Sequence, residues 1–441
     1  MSMKRATGYR AKLLYGSANI SASVTAQFFA TFVLFYYVDT LKLSPALVAL
    51  GMSLYGVWNA INDPLAGQLS DRTRSRWGRR IPWILWGTIP FAVAFWLIWV
   101  PPFRSGWPLF AWFMGAIFLF DTLYTIVVLN WTALFPEMYP GLEERSSVSA
   151  LRQALGIVGM ILGTALPPVL TGALGWGATG GIFAVVAALF LMLSLLGSRE
   201  RPECAEKAGL PIWPALRATF ANRSFVTFVT ASMLIQFTFV TLTAAIPFFA
   251  KYVLKATDFE TTLMLGTVFV AALPLVYLWG RLTVRWGPRT AMMVATALYG
   301  TLLVPFWFVD GFLGGLLTMA CVALGLSGLL VLLDVFIADI VDEDQLKTGV
   351  RREGMYFGVH GLMIRLGISL QALITGQILA RTGYDANLAV QPATAVAGLR
   401  LLMTAVPMIA LVLALIAVWL YPLHGERLQR VRAEVAGRSL T

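Results

Sequence analysis

Asn62-Asp63-Pro64-Leu65-Ala66-Gly67-Gln68-Leu69-Ser70-Asp71-Arg72-Thr73-Arg74-Ser75-Arg76-Trp77-Gly78-Arg79-Arg80-Ile81-Pro82-Trp83 is a polar, strongly basic passage between two apolar runs. The flanking runs, roughly Pro45 to Leu69 and Pro82 to Val100, each approach the ~20 residues that a helix needs to cross a bilayer. The passage therefore reads as a short cationic connection between two membrane spans. Outward from it the pattern repeats along all 441 residues. Further runs lie near Leu14 to Val38, Trp107 to Phe135, Ser149 to Thr171, Trp176 to Gly197, Phe225 to Tyr252, Leu263 to Leu282, Thr290 to Val309, Gly311 to Ala338, Met355 to Leu379 and Val396 to Tyr421. Together these make twelve predicted spans, and dividing the length by the roughly 35 to 40 residues that a span and its connection use agrees. With 58% hydrophobic and 12% charged residues, against about 25% charged in soluble proteins, the composition excludes an ordinary soluble protein and leaves no sizeable soluble domain. The expected fold is all-α and polytopic: a six-helix bundle over residues 1–197, a middle loop at 198–224, a second bundle at 225–421 and a tail at 422–441.

The net charge of +11 would suggest nucleic acid in a soluble chain. Here the cations sort by loop. The tails, the middle loop and the loops after even-numbered spans hold 25 Lys/Arg, whereas the opposite loops hold five, with Arg400 a possible sixth. That asymmetry predicts both termini on the cytoplasmic side of the cell membrane and removes the need for a nucleic-acid partner. The basic start before Leu14 reads as the flank of a retained first span. Cys204 and Cys321 are too few for a disulfide framework, and His360 and His424 too few for a histidine metal centre. No metal and no cofactor is expected. The halves also repeat weakly: Arg76-Trp77-Gly78 after span 2 recurs as Arg285-Trp286-Gly287 after span 8. Parallel repeats of this kind are a transporter architecture.

A charge at the centre of a span costs about 2.5 to 3.5 kcal/mol on insertion scales, so the few that occur mark candidate sites. In span 2, Asn59, Asn62 and Asp63 project to one broad side of a helix and offer oxygen ligands for a hard monovalent cation, or a carboxylate for a proton. Pro64 removes a backbone donor and can free a carbonyl one turn earlier. In span 4, Asp121 and Thr125 share a stripe near Tyr124, and a carboxylate with nearby aromatic rings suits hydroxyl-rich ligands. Asn19, Ser23 and Gln27 form a polar stripe on span 1, and Arg152 sits in span 5; with Asp121, Tyr124 and Arg365 they are candidates for substrate contact. Arg365 lies too deep in span 11 to reach the interface and needs a counter-anion, for which Asp63 or Asp121 is the natural choice. His360 reads as a satisfied core histidine. The plain alternatives are a static buried pair for Asp63 and Arg365 and an interhelical network for Asp121. In the loops, Asp71, Arg72, Arg76, Arg79 and Arg80 can form a gating clamp, with Asp339, Asp342 and Arg351 as a matching set in the other half.

The Asn62 to Trp83 passage, with Pro136-Glu137-Met138, Glu144-Arg145, Ala338-Asp339-Ile340-Val341-Asp342 and Lys347-Thr348-Gly349, resembles the glycoside-pentoside-hexuronide:cation symporter family of the major facilitator superfamily. The likeness covers the whole twelve-span layout. It implies a cavity between two bundles and a cation site to which Asn59, Asn62, Asp63 and Thr125 correspond. Asn59 stands where sodium-using members have an acid, and Arg365 where a lysine lies near that site. Positions matching the family's sugar-binding acids hold Ser23 and Val128, while a span 5 arginine of the family falls at or near Arg152. The expectation is a secondary transporter, with no enzymatic activity, that moves a small polar solute such as a sugar or glycoside by alternating access. Coupling is to a monovalent cation, H+ favoured over Na+ because Asp63 alone can neutralise itself by taking a proton. A monomer in the bilayer is expected. An amphipathic lysolipid-like substrate is the alternative, and an integral membrane lipid-modifying enzyme a remote one, since no acids or histidines converge at one membrane face.

Overall fold

The computed structural model describes residues 8–71, 73, 75, 77–139, 142–200, 219–348 and 353–438. All regular structure among the described residues is helical. They form two compact units, Met1–Ala208 and Gly209–Thr441.

The first unit holds α1 (Tyr9–Phe35), which runs on through a π-helical turn at Tyr36–Thr40, then α2 (Pro45–Asp71), α3 (Ile81–Ile98), α4 (Gly106–Met138), α5 (Leu142–Ala165), α6 (Pro167–Leu174) and α7 (Trp176–Gly197). α1 packs on α5 and α7, α2 on α4, and α3 on α4 and α7. Small residues make the α1–α5 approach possible. A Cβ at Gly159 would sit 2.6 Å from the Ile20 carbonyl oxygen, and one at Gly163 2.4 Å from that of Val24, so only glycine lets these backbones meet. Packing of this kind is what joins spanning helices where no hydrophobic drive separates lipid from side chain. Towards the end of α1, Phe28 stacks on Trp99 with ring centroids 4.2 Å apart, and Trp176 stacks on Trp99 at 5.6 Å.

The second unit holds α8 (Arg223–Phe249) with a π turn at Ala250–Leu254, α9 (Asp258–Trp286), α10 (Pro288–Thr301) with a 3₁₀ turn at Val304–Trp307, α11 (Phe312–Thr348), α12 (Glu353–Arg381), α13 (Ala393–Met403), α14 (Ala405–Trp419) and α15 (Gly425–Arg438). α8 packs on α12, α13 and α14, α9 on α11, and α10 on α11 and α14. The repeat read from Arg-Trp-Gly extends to backbone detail. α1 and α8 are both 27 residues long, each ends in a five-residue π turn, and each turn is followed closely by a lysine of positive φ, Lys42 at 59° and Lys255 at 52°.

Eleven segments among the described residues are long and apolar enough to span a membrane. The twelfth expected span is α2, a helix of 27 residues made less apolar by Asn59, Asn62 and Asp63. The fifth and the last spans are broken beside prolines. The fifth bends at Leu166, ahead of Pro167 and Pro168, and the last divides at Thr404, because Pro407 has no N–H to offer the carbonyl of Met403. The tail is not merely a loop: it carries α15, which packs on α11.

Candidate functional site

Two polar groups lie inside the first unit. The first joins α2 to α4. Asn59 donates from Nδ2 to Asp121 Oδ1, and Asn62 Nδ2 donates to Asp121 Oδ2 at 3.1 Å and to its backbone carbonyl at 3.2 Å. One turn toward the N-terminus of α2, Trp58 Nε1 donates to Thr122 Oγ1 at 3.1 Å, fixing the register of the two helices. Asp121 is 1% exposed, and Asn59, Asn62 and Thr125 are buried around it. The Asn59 side-chain oxygen is buried and accepts no hydrogen bond among the described residues. Two amide donors from α2 thus meet one buried carboxylate of α4. The α2 backbone carries Asp63 four residues after Asn59; the side chains of Asp63 and Asp71 lie outside the described residues. Tyr124 packs its ring against Phe91 and Phe120, at 6.0 and 5.8 Å between centroids.

The second group lies among α1, α4 and α5. The Arg152 guanidinium sits over the rings of Trp131 at 4.3 Å, Phe135 at 4.6 Å and Tyr15 at 5.7 Å. These faces stabilise a cation away from water. The box is closed by Tyr15 Oη donating to the Trp131 carbonyl at 2.9 Å and Trp131 Nε1 donating back to the Tyr15 carbonyl at 3.1 Å. Arg152 Nε is buried without a hydrogen-bond partner among the described residues. Asn19, expected at the substrate, donates instead to the Arg152 carbonyl at 2.7 Å and ties α1 to α5. Ser23 and Gln27 follow it on α1, half-buried.

Arg365 lies half-buried in α12, in the second unit, whereas Asp63 and Asp121 belong to the first. His360 shares a 2.6 Å hydrogen bond with Ser232 and lies 5.2 Å from the Phe228 ring.

The expected gating residues pair within their own units. Glu137, at the end of α4, takes Arg79 at 2.6 Å and Arg80 at 3.0 Å. Glu200 accepts from the backbone N–H groups of Arg79 at 2.8 Å and Arg80 at 2.9 Å, capping the start of α3 with a carboxylate. In the second unit Asp339 receives a two-pronged bond from Arg432 of α15, both at 2.9 Å, and Glu343 takes Lys347 and Arg427. The bond to Asp339 raises the Arg432 pKa further. Asp342 is half-buried beside this set. Arg72, Arg76 and Arg351 lie outside the described residues. Reading the sequence alone missed Glu200 and the α15 arginines, since a middle loop and a tail give no sign of what they dock against.

A family model described as MFS/sugar transport protein matches residues 14–425, nearly the whole chain. The chain belongs to this family. Among similar members, the isoprimeverose transporter of Lactiplantibacillus pentosus is 26% identical, covering 92% of this chain and 87% of the relative. The sodium-dependent lysophosphatidylcholine symporter 1 of Gallus gallus is 24% identical over 94% of this chain and 87% of the relative. A crystal structure of the nucleoside transporter NupG shares the fold, with a TM-score of 0.68 at 14% identity over 94% of this chain and 99% of that one. The MFS chain is thus a multi-pass membrane transporter, as the twelve-span reading and the motif resemblance expect.

Proposed function

We propose that this MFS transporter is a cation-coupled symporter of a small polar solute, a sugar or glycoside, and that Asp121 is part of its cation site. The buried carboxylate held between Asn59 and Asn62 is the observation that carries the reading. On this reading Asp121, which the sequence places in the substrate group, belongs to the cation group with Asn59, Asn62, Asp63 and Thr125. The case for H+ over Na+ rests on Asn59 replacing an acid. Asp121, hydrogen-bonded to that same Asn59, returns an acid to the position and lifts the preference, so the donor set suits either ion. The Arg152 box, with Ser23, Gln27 and Tyr124, is the substrate side: aromatic faces and a guanidinium fit a hydroxyl-rich solute. The isoprimeverose transporter, by its name, supports a sugar.

The test is uptake into proteoliposomes of a panel of labelled glycosides. One arm applies a sodium gradient at constant pH and the other a pH gradient without sodium. Accumulation of one glycoside under one gradient is the expected result, and equilibration alone under both refutes coupling. A second reading, a lysolipid substrate, is favoured by Ser23 and Val128 standing at the family's sugar-acid positions; accumulation of lysophosphatidylcholine in place of every glycoside establishes it. In this reading the chain acts as a monomer in the inner membrane, with both termini cytoplasmic, and catalyses no reaction.

A further inference from the structure

The Arg-Trp-Gly repeat places two basic loops at equivalent points of the two units, and their surroundings differ. In the first unit the arginines after Gly78 meet Glu137, and Glu200 lies on the opening amides of α3. In the second unit α10 opens in the same way, after a glycine of positive φ, Gly287 at 82°. No side chain caps it, and Arg289, the arginine after Gly287, meets no carboxylate among the described residues. Arg285 is exposed and makes no ion pair among the described residues. Arg289 donates to the Val418 and Trp419 carbonyls, closing the end of α14, and lies 3.2 Å from His424 Nε2. No carboxylate pairs with it among the described residues.

These groups line a cavity of about 700 Å³ with the first turns of α10 and α15. No acidic side chain lines it among the described residues, and Arg432, also on its wall, is already neutralised by Asp339. Burial first, then the charges of Arg289 and Arg427, lower the His424 pKa. The opposite wall is apolar, with Val331, Val335 and Leu428. At the rim, Val284 is 88% exposed and Trp286 43% exposed, on the last turn of a spanning helix where tryptophan marks the membrane interface.

We infer that this cavity binds the phosphate of an anionic glycerophospholipid, with the headgroup oxyanion between Arg285 and Arg289 at the start of α10 and an acyl chain leaving past Val284. The anion takes the place that Glu200 fills in the first unit. Free phosphate offers the same oxyanion, but the apolar wall and the exposed rim give only a lipid a reason to stay. Such a lipid touches α9, α10, α11 and α15 together, and so fastens the C-terminal helix to its unit.

The test is the melting temperature of the full-length protein in phosphatidylcholine micelles titrated with phosphatidylglycerol. A saturable rise is expected. Arg285→Gln raises the half-saturating fraction of phosphatidylglycerol roughly five-fold, as expected for about 1 kcal/mol per surface arginine, and Arg285→Glu raises it further. Gln429→Glu, a second exposed position on the wall, acts in the same direction and covers the case in which an Arg285 variant fails to fold. Arg281→Gln, on the same helix but off the cavity wall, leaves the titration unchanged. The inference is overturned if Arg285→Glu saturates with wild type, if Arg281→Gln shifts as far as Arg285→Gln, or if inorganic phosphate without lipid gives the same rise. Glycoside uptake is not the readout, so failure here leaves the symport reading standing.

Discussion

Asp121 stands 62 residues from Asn59 in the chain, yet their side chains are hydrogen-bonded. Asp121→Asn keeps the shape of the group: its amide oxygen still accepts from Asn62, and its amide nitrogen can donate to the Asn59 side-chain oxygen once that amide turns over, so the fold survives while the charge is lost. Gradient-driven accumulation should fall at least about ten-fold while equilibrium exchange of the same solute persists, because only the coupled step uses the charge. Loss of both together would make Asp121 a substrate ligand instead. Asp121→Ala, in contrast, strands the buried amide donor of Asn59 at about 1 to 3 kcal/mol and leaves Asn62 only the backbone carbonyl, so it should lower the melting temperature measurably. The importance of Asp121 was legible in the sequence, since a carboxylate in an apolar span is costly wherever it points. Its neighbour was not legible: helical spacing links Asp121 to Thr125, but the pairing with α2 is a tertiary register that no local pattern encodes. Asn19 shows the same limit, a polar stripe on α1 whose first member is occupied in holding the α5 backbone.

At the scale of elements, the α1–α5 contact depends on glycine. Gly163→Leu places a Cβ 2.4 Å from a backbone oxygen that cannot turn aside, so the cost should lie at or above the upper end of the ~1 to 3 kcal/mol typical of overpacking. Gly115→Ala in α4 meets nothing within 4 Å and should be neutral or stabilising by up to ~1 kcal/mol. Melting the two variants in the same detergent checks the pair, and equal behaviour would mean that the close approach does not set stability. Glu200→Gln should weaken the cap of α3 by about 1 kcal/mol, read in the same way. The existence of nearly every helix followed from apolar run length alone, because a bilayer leaves few other solutions. The breaks at Leu166 and Thr404 escaped a count of apolar residues although Pro167 and Pro407 stand in plain view; a single proline hardly shortens an apolar run, but its missing donor and the clash of its ring with the preceding turn interrupt the helix. α15 escaped because its partners on α11 are distant in sequence.

For the molecule as a whole, the sidedness of the two ends turns on α2. Eleven segments pass a test of length and apolarity, and an odd number of crossings would put the termini on opposite sides of the membrane. The twelfth helix fails that test through the same asparagines that bond Asp121, so a measure of apolarity discounts the helix for carrying the site. The loop charges argue independently of hydropathy: 25 Lys/Arg fall on one side only if α2 crosses, and without it the later basic loops alternate to the wrong face. A reporter that fluoresces only in the cytoplasm, fused in turn to each end, should therefore fluoresce at both. A phosphatase that works only outside, fused at the outer loop near Arg104 and at the C-terminus, should be active at the first and silent at the second. Opposite sides for the two ends would mean that α2 lies outside the bilayer, and a helix outside the bilayer has no reason to bury Asn59 and Asn62 against Asp121 of α4, whose 33 residues include one of the eleven apolar segments. The topology measurement thus also tests the site.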